Sequence, residues 1–337
     1  GLIPSIPVHV AQLVFFCIAW VLLDFGTTLS SSLFNALAND VIPHQLLGRF
    51  FSLFRMVSLG AGMIFNAWLI DKVETHTPII FLGIGTLYGI GLLSLCWRVK
   101  EGVYPPVQEE PGGVSGQFSE SVFLRVMRSV IVYFRQSFSL PYYRWYMLSQ
   151  AAAMLAFAPI NFFSIQYAQK LGIGMDRYGL FLVATYLFSF VASYFFGMLS
   201  DRFNPLRCGI VGLAAYLILM VAGWGLLTDA GWFGQIFILH GIISGSYFTA
   251  TASLGPRLLP KVLFAQFSSA TGIVIAIGSM VAGPVIGMAI DCLDHDYRWL
   301  FLFGGAITLT ALLLLIKVYR DYLRFGGDKA YEPPMPE

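Results

Sequence analysis

Asp24 sits inside an apolar run, and Thr27, Thr28, Ser31 and Asn35 follow it at steps of three and four residues. That spacing puts the five side chains on one face of a helix. His240, Ser244, Tyr247 and Thr251 form a second stripe of the same kind. An imidazole changes charge near neutral pH, so a carboxylate and a histidine at matching depth can share or relay a proton. The alternatives are a structural Asp24 bonded to hydroxyls or backbone, and a His240 that is a satisfied packing residue. A third set, Gln150, Met154, Phe157 and Asn161, shares one helical face. Its two amides could meet sugar hydroxyls, with Phe157 as an apolar floor between them. Packing is the competing reading there, because Ala151, Ala152, Ala153, Ala156 and Ala158 let a neighbouring helix come close.

The elements that position these residues follow from composition. Of 337 residues 57% are hydrophobic and only 11% charged, and the mean hydropathy is +0.74. Soluble domains carry about 25% charged residues. Nine apolar runs can be drawn, at roughly 9–37, 47–70, 77–98, 142–169, 178–199, 206–227, 232–254, 264–289 and 297–319. A bilayer core takes about 20 apolar residues per helix. The sequence is therefore that of an all-α, polytopic membrane protein in contact with the lipid bilayer. An ionisable residue in mid-membrane is costly and marks a cavity or pathway.

Loops placed alternately on two sides put Lys72, Lys170, Arg177 and Arg298 on one side and the other 16 of the 20 basic residues on the opposite one. Basic residues collect in cytoplasmic loops, so the 99–141 segment and the C-terminus are expected in the cytoplasm, and the inner cell membrane is the expected location. The net charge of +2 carries no message about nucleic acid. Cys17, Cys96, Cys208 and Cys292 are scattered, without metal spacing or a disulfide framework. No metal-ligand cluster, nucleophile elbow or phosphate loop is present, so neither an enzyme nor a cofactor is expected. A monomer is expected.

An internal repeat relates "VIPHQLLGRFFS" to "LLPKVLFAQFSS", with Pro43 against Pro260, Phe50 against Phe267 and Ser52 against Ser269, an offset of 260 − 43 = 217 residues. The same offset carries Asp24 to within one residue of His240. The repeat pairs runs one to three with runs seven to nine. Runs four to six then need partners ahead of Gly1, which makes twelve spans in two parallel halves the expected complete architecture. On this reading residues 1–98 are the last three helices of one half. Residues 99–141 are a linker, 142–320 the other six-helix half, and 321–337 a polar tail expected to be disordered. Within the linker, Arg125, Arg128 and Arg135 share one face of an amphipathic helix that either lies on the membrane or packs on the body.

"FGMLSDRFNPLR" closes the fifth run. It resembles the loop motif of the major facilitator superfamily, with Gly197, Leu199, Asp201, Arg202 and Arg207 matching and Asn204 standing where the family prefers Gly. "NDVIPHQLLGRF" resembles a second loop of that superfamily through Pro43, Gly48 and Arg49. More loosely it resembles the glycoside–pentoside–hexuronide and sucrose-type carriers. The residues also make sense unaided. Gly197 lets a helix come close, Asp201 can cap a neighbouring helix N-terminus, and Arg202 can pair with a carboxylate.

The resemblance implies a major-facilitator-like bundle holding about nine of twelve helices. It implies a secondary transporter that moves a small-molecule substrate by alternating access, with the loop motifs as the conformational switch. Proton-coupled sugar or glycoside uptake is the first expectation, with substrate and coupling residues drawn from Asp24, Thr28, Ser31, Asn35, Gln150, Asn161, His240, Ser244 and Tyr247. A drug or metabolite exporter and a non-transporting receptor or scaffold are the alternatives.

Overall fold

The computed structural model describes residues 8–69, 72–100, 122–227 and 229–335. Among the described residues twelve α-helices follow one another: α1 (Val8–Val41), α2 (Leu47–Trp68), α3 (Val73–Arg98), α4 (Val122–Ser137), α5 (Pro141–Lys170), α6 (Met175–Phe203), α7 (Pro205–Leu226), α8 (Ala230–Thr251), α9 (Leu254–Leu258), α10 (Phe264–Cys292), α11 (Trp299–Arg324) and α12 (Gly327–Ala330). Local chemistry sets several of the starts. α5 and α7 open on Pro141 and Pro205, whose fixed φ suits the first helical turn and whose missing N–H costs nothing there. Asp229 caps α8, its Oδ1 accepting from the N–H groups of Gly231 at 2.8 Å and Trp232 at 3.1 Å.

Eight helical segments among the described residues are long and apolar enough to cross a membrane. The chain is an integral, multi-pass membrane protein. The sequence reading drew nine such runs. The eight cover the second to ninth of these runs, and the first falls on α1, many of whose side chains lie outside the described residues.

α5, α6, α7, α8, α10 and α11 share one core, in which Tyr143, Phe157, Tyr216 and Phe267 are fully buried. α11 packs on α5 and α7, and α6 lies along α8. α2 joins this body by packing along α6. Near its start Ala38, Leu47 and Phe51 form a second small cluster. No α3 residue with a described side chain is buried, and Leu82, Leu87 and Trp97 present their apolar surface outward, as a lipid-facing helix does.

The two repeated loops have one geometry. Pro43 (φ −57°, ψ 134°) and Pro260 (φ −65°, ψ 133°) each precede a three-residue 3-10 turn, His44–Leu46 and Lys261–Leu263, which runs into α2 and α10. Ser52 donates to the Arg49 carbonyl at 2.7 Å, and its repeat partner Ser269 to the Gln266 carbonyl at 2.9 Å.

α4 docks by one edge on the start of α10. The Tyr133 hydroxyl meets Ser269 Oγ at 2.6 Å, and Gln266 Nε2 donates to Ser137 Oγ at 3.2 Å. Met127, Val130, Ile131 and Phe134 stay exposed beside the exposed Arg128 and Arg135. The helix is thus both packed on the body and amphipathic outward. Linker residues 101–121 and the side chain of Arg125 lie outside the described residues.

The tail corrects an expectation. Its described part is ordered and folds back on the bundle instead of trailing away. Tyr331 donates to the Leu258 carbonyl at 2.7 Å, Tyr143 donates to the Pro334 carbonyl at 2.8 Å, and Arg207 Nη2 holds Asp328 Oδ2 at 2.7 Å. The Pro-rich composition that suggested disorder supplies a stiff, extended strap with one aromatic anchor.

Candidate functional site

Asp201 lies in the last turn of α6, with its side chain only 7% exposed. Its Oδ1 accepts the backbone N–H of Gly48 at 2.9 Å, and its Oδ2 that of Arg49 at 3.1 Å. Gly48 and Arg49 belong to the first turn of α2, where helix N–H groups lack intrahelical partners. The carboxylate caps them, and the positive end of the helix favours its charge. Arg257, from α9, donates Nη2 to Oδ1 at 2.8 Å. The Arg49 guanidinium stands 3.9 Å from Oδ2. One carboxylate therefore ties α2, α6 and α9 together. Hydrogen bonds to a charged group contribute about 1.5–3 kcal/mol each.

Arg202 does not take the role expected of it. It is exposed, with its guanidinium 5.3 Å from the Phe203 ring centroid. Consecutive helical residues point to different faces, so Arg202 cannot reach the surface that Asp201 addresses. Arg257, on the facing element, can. Asn204 ends α6 at φ +73° and accepts the Leu206 N–H at 2.9 Å, which caps α7. Its amide also bonds Asp328 and the Tyr322 hydroxyl. Arg207 donates to the Tyr319 hydroxyl at 2.8 Å as well as to Asp328. Pro43 is exposed at the head of its loop.

A second cluster lies inside the bundle. His240, on α8, is 2% exposed. Tyr216 Oη is 2.8 Å from His240 Nδ1, and Asn161 Oδ1 is 3.0 Å from Nε2. A neutral ring satisfies both contacts by accepting the tyrosine proton at Nδ1 and donating Nε2–H to the amide oxygen. Asn161 and His240, from the third and second of the polar sets, thus meet, and Tyr216, which polarity patterning did not single out, completes the bridge from α5 through α8 to α7.

The remaining expected residues scatter. Phe157 is no cavity floor: it is 1% exposed and packs on the rings of Tyr216, Tyr247 and Phe248. Its place on the amide face at helical spacing turned out to be a core position. Ser244 is buried and donates to the Gly241 carbonyl at 3.2 Å. Tyr247 Oη and Gln150 Nε2 are buried without a hydrogen-bond partner among the described residues. Ser31 is exposed and Asn35 half-buried on α1. The side chains of Asp24 and Thr28 lie outside the described part. Among the described residues no three His, Cys, Asp or Glu side chains gather as metal ligands.

These features can be set beside known proteins. The family profile described as Major Facilitator Superfamily matches residues 1–283 and again 146–330. A Na(+), Li(+), K(+)/H(+) antiporter of Planococcus maritimus is 27% identical over 48% of this chain and 37% of its own length. A probable triacylglyceride transporter of Mycobacterium bovis is 30% identical over 40% of this chain and 26% of its own. The alignments thus span well under half of either relative. A crystal structure of a bacterial homologue of the iron transporter ferroportin, in an outward-facing state, superposes with a TM-score of 0.57 at 16% identity, over 84% of this chain and 66% of that one. The likeness to that structure is one of fold. The chain belongs to the Major Facilitator Superfamily.

Proposed function

We propose that this major facilitator chain is the larger part of a secondary transporter that moves a small solute by alternating access. In this reading α1–α3 belong to one half and α5–α11 to the other, and the Asp201 clasp closes the cytoplasmic side. The observation that carries the reading is the clasp itself: a nearly buried carboxylate on α6 holding two N–H groups of α2, with Arg257 as its counter-charge. These bonds exist only while α2 and α6 touch, so a rocking motion must break them. The test is solute counterflow into proteoliposomes by the full-length protein. Asp201→Asn should slow it about tenfold, the equivalent of ~1.4 kcal/mol. Unchanged counterflow would contradict the role.

Proton coupling is assigned to Asp24, and His240 is given a positioning role. Both ring nitrogens of His240 are engaged in a dry setting, which suits a neutral strut better than a carrier. Sugar or glycoside uptake draws support from the unpartnered amide of Gln150, a free donor for a hydroxyl. It draws none from Asn161, whose oxygen is already taken. The cargoes named for the relatives, inorganic cations and a triacylglyceride, are not sugars.

A further inference from the structure

We infer that Arg55 forms a subsite for a carboxylate, so that the solute carried carries a single negative charge next to an apolar or ring-shaped body. The inference rests on the transporter reading and adds a substrate class to it. Arg55 lies eight residues past Leu47 on α2, about 12 Å along the helix at 1.5 Å per residue, and well within the membrane-spanning stretch Leu47–Phe65. Its side chain reaches across to α8. The guanidinium stands 5.8 Å from the Phe248 ring centroid, and a methyl group on Gly245 would come within 3.1 Å of its Nη2. Its Nε is buried without a hydrogen-bond partner, and no carboxylate pairs with it among the described residues.

A guanidinium never deprotonates in such a place. A charge inside the membrane without a counter-charge is expensive and marks a ligand path. Here a cavity of about 190 Å³ opens on it, lined by Phe51, Phe54, Arg55, Ser58, Phe248 and Thr249. One fixed charge matches a monoanion, and the planar fork of Arg matches a carboxylate through two parallel hydrogen bonds. Three aromatic rings and the Ser58 hydroxyl suit a ring-bearing body, the Thr249 hydroxyl being already donated to the Gly245 carbonyl. Because the cavity is walled by both α2 and α8, an anion there would bridge the two groups of helices whose relative motion the clasp controls.

The test is equilibrium binding, which does not require flux. Purified full-length protein in nanodiscs is titrated with benzoate and glucuronate, and with their neutral counterparts benzyl alcohol and glucose. At least one acid should bind about tenfold or more tighter than its counterpart, and Arg55→Gln should abolish the preference while Arg55→Lys keeps part of it. Equal affinity for acid and counterpart, binding of neither acid, or acid binding undiminished in Arg55→Gln would overturn the subsite. Arg55→Gln that lowers the thermal stability of the empty protein but leaves the acid preference intact would mark Arg55 as a structural cation and also overturn it. Counterflow lost in Asp201→Asn with no acid preference in the parent protein would leave the transporter reading standing without the subsite.

Discussion

Gly48 and Gly197 face each other across the α2–α6 contact so closely that neither can carry a methyl group. A Cβ on Gly48 would lie 2.7 Å from the Gly197 carbonyl oxygen and 2.6 Å from Asp201 Oδ1. A Cβ on Gly197 would lie 2.8 Å from the Gly48 carbonyl oxygen and 2.5 Å from Ser52 Oγ. The close approach lets the Asp201 carboxylate reach the α2 N–H groups. Gly48→Ala and Gly197→Ala should therefore each destabilise the closed arrangement by about 1–3 kcal/mol, the usual cost of overpacking. Thermal denaturation in detergent checks this, and an unchanged midpoint for both variants would show that the helices have slack.

The His240 bridge makes a different prediction. His240→Ala would strand the Tyr216 hydroxyl and the Asn161 amide in the core, at about 1–3 kcal/mol for each unsatisfied group. His240→Gln should recover part of that stability. Proton-driven uptake should keep its pH profile in His240→Gln and lose its dependence on the proton gradient in Asp24→Asn. A profile that shifts with His240→Gln and not with Asp24→Asn would exchange the two roles.

The tail should behave as a docked strap with a pH limit. Burial raises the Tyr331 hydroxyl from an ordinary value near 10 to about 12. Its pairing is thus fully stabilising below about pH 10 and is lost as pH climbs toward 12. Limited proteolysis of the last residues should be slow up to about pH 10 and accelerate above it. Tyr331→Ala should make the tail protease-sensitive at neutral pH. Equal cleavage of parent and variant would mean that Tyr331 does not hold the tail.

Much of this molecule was legible in its residues. Apolar run length located the long helices, and the match of Pro43 with Pro260 and Ser52 with Ser269 marked two loops of one geometry. The family motif brought Gly48, Gly197 and Asp201 to notice through two separate segments. The partner of Asp201 was not legible. Arg257 lies 56 residues away, and nothing local in "GPRLLP" shows that its guanidinium turns toward α6. Phe157 illustrates a second limit. Helical spacing assigns a residue to a face, but whether that face meets a cavity or a neighbouring ring is decided by α7 and α8. The strap was missed because a single Tyr anchor among prolines leaves no periodic signal.

The central claim is that the Asp201 carboxylate holds α2 against α6 and that this contact opens during transport. The most direct measurement is a distance distribution between spin labels on Leu46→Cys and Phe203→Cys, two exposed positions beside the clasp. It is made in a full-length background in which Cys17, Cys96, Cys208 and Cys292 have been replaced. The account predicts one dominant short distance in the parent and a second, longer population that becomes the major one in Asp201→Asn. Identical distributions with and without the carboxylate would contradict it.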